Sequence, residues 1–154
     1  MSDLRKSFWK LILERARLDK KVMVLVGDLG FSFFEKFRDE LPKQFINAGI
    51  AEQNAIGIST GLALAGFKPY VYSNSLFLLS RANEFVRDEI CYNKLDVKLI
   101  GTGAAGFLGF SHNMVKNEDK NLIKSFPNIK GYWPRNEKEL KKVLFLKGAS
   151  YIRI

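Results

Sequence analysis

Residues 47–66 read NAGIAEQNAIGISTGLALAG, a run of small and aliphatic residues broken near its start by one carboxylate, Glu52. From Ile50 the apolar positions recur at helical spacing, through Ala51, Ala55, Ile56, Ile58, Leu62 and Ala65, which predicts an α-helix. Gly57, Gly61 and Ala65 fall four apart on one face. Each glycine costs a helix roughly 1 kcal/mol relative to alanine, and a face kept that small usually admits a backbone or a flat ligand. A helix apolar nearly all round predicts burial, and burial takes Glu52 inside near the helix N-terminus. Buried carboxylates have a partner or a task. The residues alone leave two readings open: Glu52 caps the first turn, where the helix dipole favours negative charge, or it serves chemistry.

On either side, elements alternate. Ser2 to Leu18 reads as an amphipathic helix with Leu4, Phe8, Leu11, Ile12 and Arg15 at helical spacing. Lys21 to Val26 is a continuous apolar run, the pattern of a strand buried on both faces, and it ends in the loop Gly27-Asp28-Leu29-Gly30. A short helix around Phe33 to Glu40 closes at Pro42, and the strand Gln44 to Ala48 leads into the central helix. Gly66 ends that helix and Pro69 opens the strand Tyr70 to Ser73. Then come a long helix, Leu76 to Tyr92, and a strand, Val97 to Gly101, running into the glycine-rich loop Gly101 to Asn113. A weaker helix (Met114 to Phe126), a strand (Ile129 to Trp133), a helix (Glu137 to Leu146) and a last strand (Ala149 to Ile154) complete the chain.

About six short strands joined by connections too long for hairpins predict an α/β fold: a doubly wound, mainly parallel sheet with helices on both faces. The 154 residues read as one domain, 1–154, without repeats or linkers. Ligands of such sheets bind beyond the carboxyl ends of the strands, where Asp28, Glu52, Ser73 to Phe77 and Gly101 to His112 converge.

Composition narrows the classes. With 47% hydrophobic and 27% charged residues the chain is that of a folded soluble protein. No apolar stretch reaches the ~20 residues that span a bilayer, and the mixed-charge start MSDLRKSFWK lacks a signal peptide's apolar centre. The expectation is a cytoplasmic protein with no membrane partner. Cys91, the one cysteine, excludes an internal disulfide and any multi-cysteine metal site, and reads as a packing residue. The formal charge of +9 raises nucleic acid as a partner. The cations are interleaved with acids, however, and no stacking-aromatic motif accompanies them, so nucleic acid ranks last and no nucleic-acid partner is expected.

The stretch GIAEQNAIGISTGLALAGFKPYV resembles the pyrimidine-binding domain of transketolases and 1-deoxyxylulose-5-phosphate synthases, enzymes that use thiamine diphosphate. The likeness runs nearly end to end and in the family's order: VGDLG, AEQN, FLLSRA, GFLGFSHN, FPNI and YIRI. AEQN in its glycine and alanine context is the specific signal.

By position, Glu52 matches the family's catalytic glutamate. The resemblance implies that it shares a proton with the cofactor's aminopyrimidine ring nitrogen, favouring the tautomer that activates the thiazolium carbon. Leu29 matches the bulky apolar residue that holds the cofactor bent; Asp28 precedes it as in the family, or else caps a loop. Phe77 matches an aromatic that stacks on the pyrimidine, or packs in the core. Arg81 matches an Arg before Ala, or makes a surface ion pair. His112, the only histidine, falls on a substrate-contacting histidine, or is incidental to its loop.

Three departures matter. Asn74 stands where another aromatic is expected, or the alignment slips by one. Phe107 and Leu108 replace an acidic pair, one member of which contacts substrate hydroxyls in the family, so a standard sugar-phosphate specificity is in doubt. The G-D-G…Asn signature of Mg2+-diphosphate binding and the third, carboxyl-terminal domain are absent from the 154 residues. The resemblance therefore implies half an active site: thiamine diphosphate shared with a separate chain that carries the diphosphate domain and Mg2+, in a heteromer, expected to be a heterotetramer. This chain would hold no metal. The implied reaction is two-carbon ketol transfer between sugar-type substrates. The alternatives are another carboligation or decarboxylation with the same cofactor, and a noncatalytic assembly module.

Overall fold

The computed structural model describes residues 3–103 and 115–154. Six strands form one sheet: β1 (Val22–Val26), β2 (Phe45–Asn47), β3 (Lys68–Asn74), β4 (Lys98–Thr102), β5 (Lys130–Tyr132) and β6 (Ser150–Arg153). Their order is β2-β1-β3-β4-β6-β5 and every pairing is parallel. Helices cover both faces, as the alternation of elements predicts.

The two faces separate by residue parity, because successive strand side chains point oppositely. Val22, Val24, Val26, Tyr70 and Tyr72 pack with Phe8 and Ile12 of α1 (Leu4–Leu18), Phe37 of α2 (Glu35–Glu40) and Leu140 of α6 (Glu137–Leu144). Met23, Leu25, Val71, Leu99 and Tyr151 pack with Ala55 and Ile56 of α3 (Glu52–Leu64), with Leu78, Leu79, Val86 and Ile90, and with Ile123 of α5 (Glu118–Ser125). Cys91 is buried in this second layer, where burial pushes its thiol up to about 12.

Four expectations need correction. Arg15 does not join the buried stripe of α1; Ala16 takes that place, and the Arg15 guanidinium lies 5.8 Å from the Phe145 ring centre. Residues 76–92 are not one regular helix: α4 (Asn83–Phe85) is flanked by wider π-helical stretches, Phe77–Arg81 and Val86–Tyr92. The helix expected over residues 114–126 is described only from Glu118, as α5. Most consequentially, α3 is not buried all round. It buries Glu52, Ala55, Ile56 and Ser59, while Leu64 is 71% exposed and Ile50, just before it, 75%. A Cβ added at Gly61 would meet nothing within 4 Å, so among the described residues no backbone uses the small face.

Local chemistry sets the element ends. Gly66, at φ +84°, closes α3: its N–H donates to the Ala63 carbonyl and the Phe67 N–H to the Leu62 carbonyl, the paired bonds of a left-handed helix terminus. Pro69 sits inside β3 rather than before it, opposite Met23 of β1. The ladder to β4 begins only at Tyr70, and the Lys68 N–H is used on the β1 side, so the missing proline donor faces a position with no ladder partner.

Candidate active site at the carboxyl rim

The chain leaves β1 for β2 on one side and later places β3 on the other. The gap between the ends of β1 and β3 is thus the topological switch point, where sheets of this kind bind ligands. Gly27 follows β1, Ser73 and Asn74 end β3, and Glu52 opens α3 above them.

Glu52 is 3% exposed. The Ser73 hydroxyl donates to its Oε1 at 3.1 Å, and its Oε2 lies 3.7 Å from an Arg81 guanidinium nitrogen. The carboxylate takes its hydrogen bond from the sheet, and no side-chain bond caps the first turn of α3. Gly27 allows this approach: a Cβ there would stand 3.0 Å from Ser73 Oγ and 3.3 Å from Glu52 Oε1.

The lead-in to α3 is held by Asn47, a residue to which the sequence alone gives no role. Its Oδ1 accepts from the N–H groups of Asp28 (3.2 Å) and Gly49 (3.0 Å), and its Nδ2 donates to Asp28 Oδ1 at 2.9 Å. An Asn before Ala-Gly at a strand end is a recognisable turn signal. Asp28, exposed and at φ +53°, is accordingly a brace between the exits of β1 and β2. Leu29 next to it is half-buried against the first core layer.

Phe77 and Arg81 meet on the far side of Glu52. The Arg81 guanidinium carbon is 3.8 Å from the Phe77 ring centre, a cation–π stack. The wide turn brings them together, for the Ala82 N–H donates to the Phe77 carbonyl five residues back. Asn74, in the place of the expected aromatic, is buried and caps the entry to this turn by accepting from the Leu76 N–H at 2.9 Å. The structure therefore gathers Glu52, Phe77 and Arg81, with Asp28 and Leu29 on the adjoining β1 exit. His112, Phe107 and Leu108 lie outside the described residues.

A second buried carboxylate, Asp119 in the first turn of α5, has no signal in the sequence. Its Oδ2 accepts from Trp133 Nε1 (2.7 Å), Tyr151 Oη (3.3 Å) and an Arg153 guanidinium nitrogen (3.0 Å). Burial pushes the Tyr151 phenol up, which keeps it a neutral donor. The partners come from beyond β5 and from β6, so Asp119 ties α5 to that end of the sheet.

Chemically, the rim near Glu52 holds a buried carboxyl, a phenyl ring stacked with an arginine, and an apolar side. That set suits a flat heteroaromatic base with ring nitrogens, such as the pyrimidine of thiamine diphosphate. Among the described residues no group of three His, Cys, Asp or Glu side chains gathers. No helix among them is long and apolar enough to cross a membrane.

Comparison with known proteins gives the family. Residues 1–149 match the family "Transketolase, pyrimidine binding domain". The chain is 36% identical over 146 residues to an apulose-4-phosphate transketolase subunit of Phocaeicola vulgatus, covering 92% of this chain and 46% of that protein. It is 35% identical over 159 residues to a putative transketolase C-terminal section of Methanocaldococcus jannaschii, covering 98% and 50%. Among solved structures, a split-gene transketolase described as an inactive beta4 tetramer superposes with TM-score 0.84 at 34% identity, over 97% of this chain and 50% of that one. Transketolase from Campylobacter jejuni, at 19% identity and TM-score 0.83, shares the fold. The chain thus spans about half the length of the curated relatives it matches. The match over residues 1–149 and relatives above 30% identity show the family: the chain belongs to the transketolase pyrimidine-binding domain family.

Proposed function

We propose that this chain is the pyrimidine-binding part of a split, transketolase-like enzyme that transfers a two-carbon ketol unit between sugar-type substrates. The observation that carries the proposal is Glu52, a buried carboxyl at the switch point with one oxygen held by Ser73 and the other beside Arg81. In this reading thiamine diphosphate supplies the carbanion chemistry, and Mg2+ stays with its diphosphate on a partner chain. Glu52 holds and returns the proton at the pyrimidine ring nitrogen. Phe77, now stacked under Arg81, would present its ring to the base. Leu29 wedges the cofactor's bend, Asp28 braces the loop that carries Leu29, and His112 contacts substrate. Phe31 and Ile50, exposed at 58% and 75% near the exits of β1 and β2, form apolar surface for the partner to cover.

The split relatives support a subunit that works with a second chain, and a heterotetramer is the proposed assembly. Reconstitution tests it. Mixed with a chain carrying the diphosphate motif, thiamine diphosphate and Mg2+, the protein should transfer a ketol unit from a ketose phosphate, and neither chain should do so alone. Turnover of keto acids but not ketose phosphates would replace the transferase reading with a decarboxylating carboligase. Absence of any turnover in an assembled, cofactor-loaded complex would leave an assembly module.

A further inference from the structure

We infer that Ser73 is a positioning residue for Glu52 and that the acid works through Oε2. The inference rests on the proposed function, because it concerns which oxygen of Glu52 faces the cofactor ring. A carboxyl can carry its proton on either oxygen, and a freely rotating one presents both. The two oxygens of Glu52 are held unequally. Its Oε1 accepts from Ser73 Oγ at 3.1 Å and is wedged against Gly27, where even a methyl group would stand 3.3 Å away. Ser73 is itself 1% exposed, on a central strand paired on both sides, opposite Gly101 of β4, and its hydroxyl's one hydrogen bond among the described residues goes to Glu52. Oε2 forms no hydrogen bond among the described residues and lies beside Arg81 at 3.7 Å. A proton passed from Oε2 to a ring nitrogen would leave a charge on the carboxylate that is shared with Oε1. There the Ser73 O–H meets it as a charge-assisted hydrogen bond. On the proton's return, the same bond keeps Oε2 as the oxygen that receives it.

Two isosteric variants separate orientation from packing: Ser73→Thr keeps a hydroxyl and Ser73→Val replaces it with a methyl. Both are measured in the complex with the partner chain, thiamine diphosphate and Mg2+, beside Glu52→Gln. Thermal unfolding provides the structural control. Loss of a charge-assisted hydrogen bond predicts that Ser73→Val lowers kcat about 10- to 100-fold while KM for substrate and cofactor holds within about twofold. The tautomer-sensitive circular-dichroism band of the bound aminopyrimidine should weaken with it. Ser73→Thr should keep both. Gly27→Ala, which leaves the hydroxyl in place but crowds it and Oε1, should show the same kcat-selective loss and serves if Ser73→Val does not fold. Wild-type kcat and an unchanged band in Ser73→Val, or in Gly27→Ala where it must stand in, would overturn the inference, provided Glu52→Gln abolishes both. Turnover retained in Glu52→Gln would overturn the proposed function instead.

Discussion

Glu52 and Asp119 look alike by burial and differ in everything around them. Each is a carboxylate in the first turn of a helix at the carboxyl rim, nearly or wholly inaccessible, with an arginine close by. Asp119 draws three donors from the neighbouring β5 exit and β6 onto Oδ2, while its Oδ1 forms no hydrogen bond among the described residues. Glu52 has one short partner, Ser73, and an arginine at 3.7 Å, too far for a hydrogen bond. The first arrangement uses a carboxylate as a fastener. The second holds one oxygen and leaves the other with only a loose contact to Arg81. Burial is common to both carboxylates; the number of donors is what differs, and on the proposed function that difference separates a structural carboxylate from a chemical one.

Substitutions at these sites probe the contrast. The largest effect on stability belongs to Asp119→Ala, which leaves the Trp133 and Tyr151 donors and the half-buried Arg153 without their shared acceptor. It should lower the unfolding free energy by about 3–5 kcal/mol in denaturant titration. Next comes Gly101→Ala, whose Cβ would lie 2.6 Å from Ser75 Oγ and 2.7–2.8 Å from Tyr151. Because Tyr151 must move off Asp119, overpacking of about 1–3 kcal/mol is expected, read the same way. The smallest effect belongs to Glu52→Gln. The amide oxygen still accepts from Ser73, and only a loose contact with a partly exposed arginine is lost, so the change should stay within about 1 kcal/mol. A Glu52→Gln chain as unstable as Asp119→Ala would erase the distinction.

The architecture is legible in the sequence because apolar runs and glycines mark strands and their ends. Val22 to Val26 fits only a strand buried on both faces, and Gly66 fits only the end of α3. The site is legible in its central residue, since a lone carboxylate in an apolar helix demands an explanation. What is not legible depends on neighbours distant in sequence. The exposed side of α3 is hidden because apolar composition says that a face avoids water, not what covers it. Ser73, Asn47 and Asp119 owe their roles to partners 21, 19 and up to 34 residues away, positions set by the sheet. The π-helical turn at Phe77–Arg81 has no propensity signature; its one trace is the mismatch at Asn74, which caps that turn.

The measurement that bears most directly on the account is ketol-transfer turnover by the Glu52→Gln chain reconstituted with its partner, thiamine diphosphate and Mg2+. With assembly and cofactor binding intact, turnover should fall at least about a hundredfold, the lower range for loss of a positioned acid–base group. Turnover near the wild-type rate would contradict the assignment of Glu52 as the group that handles the cofactor's proton.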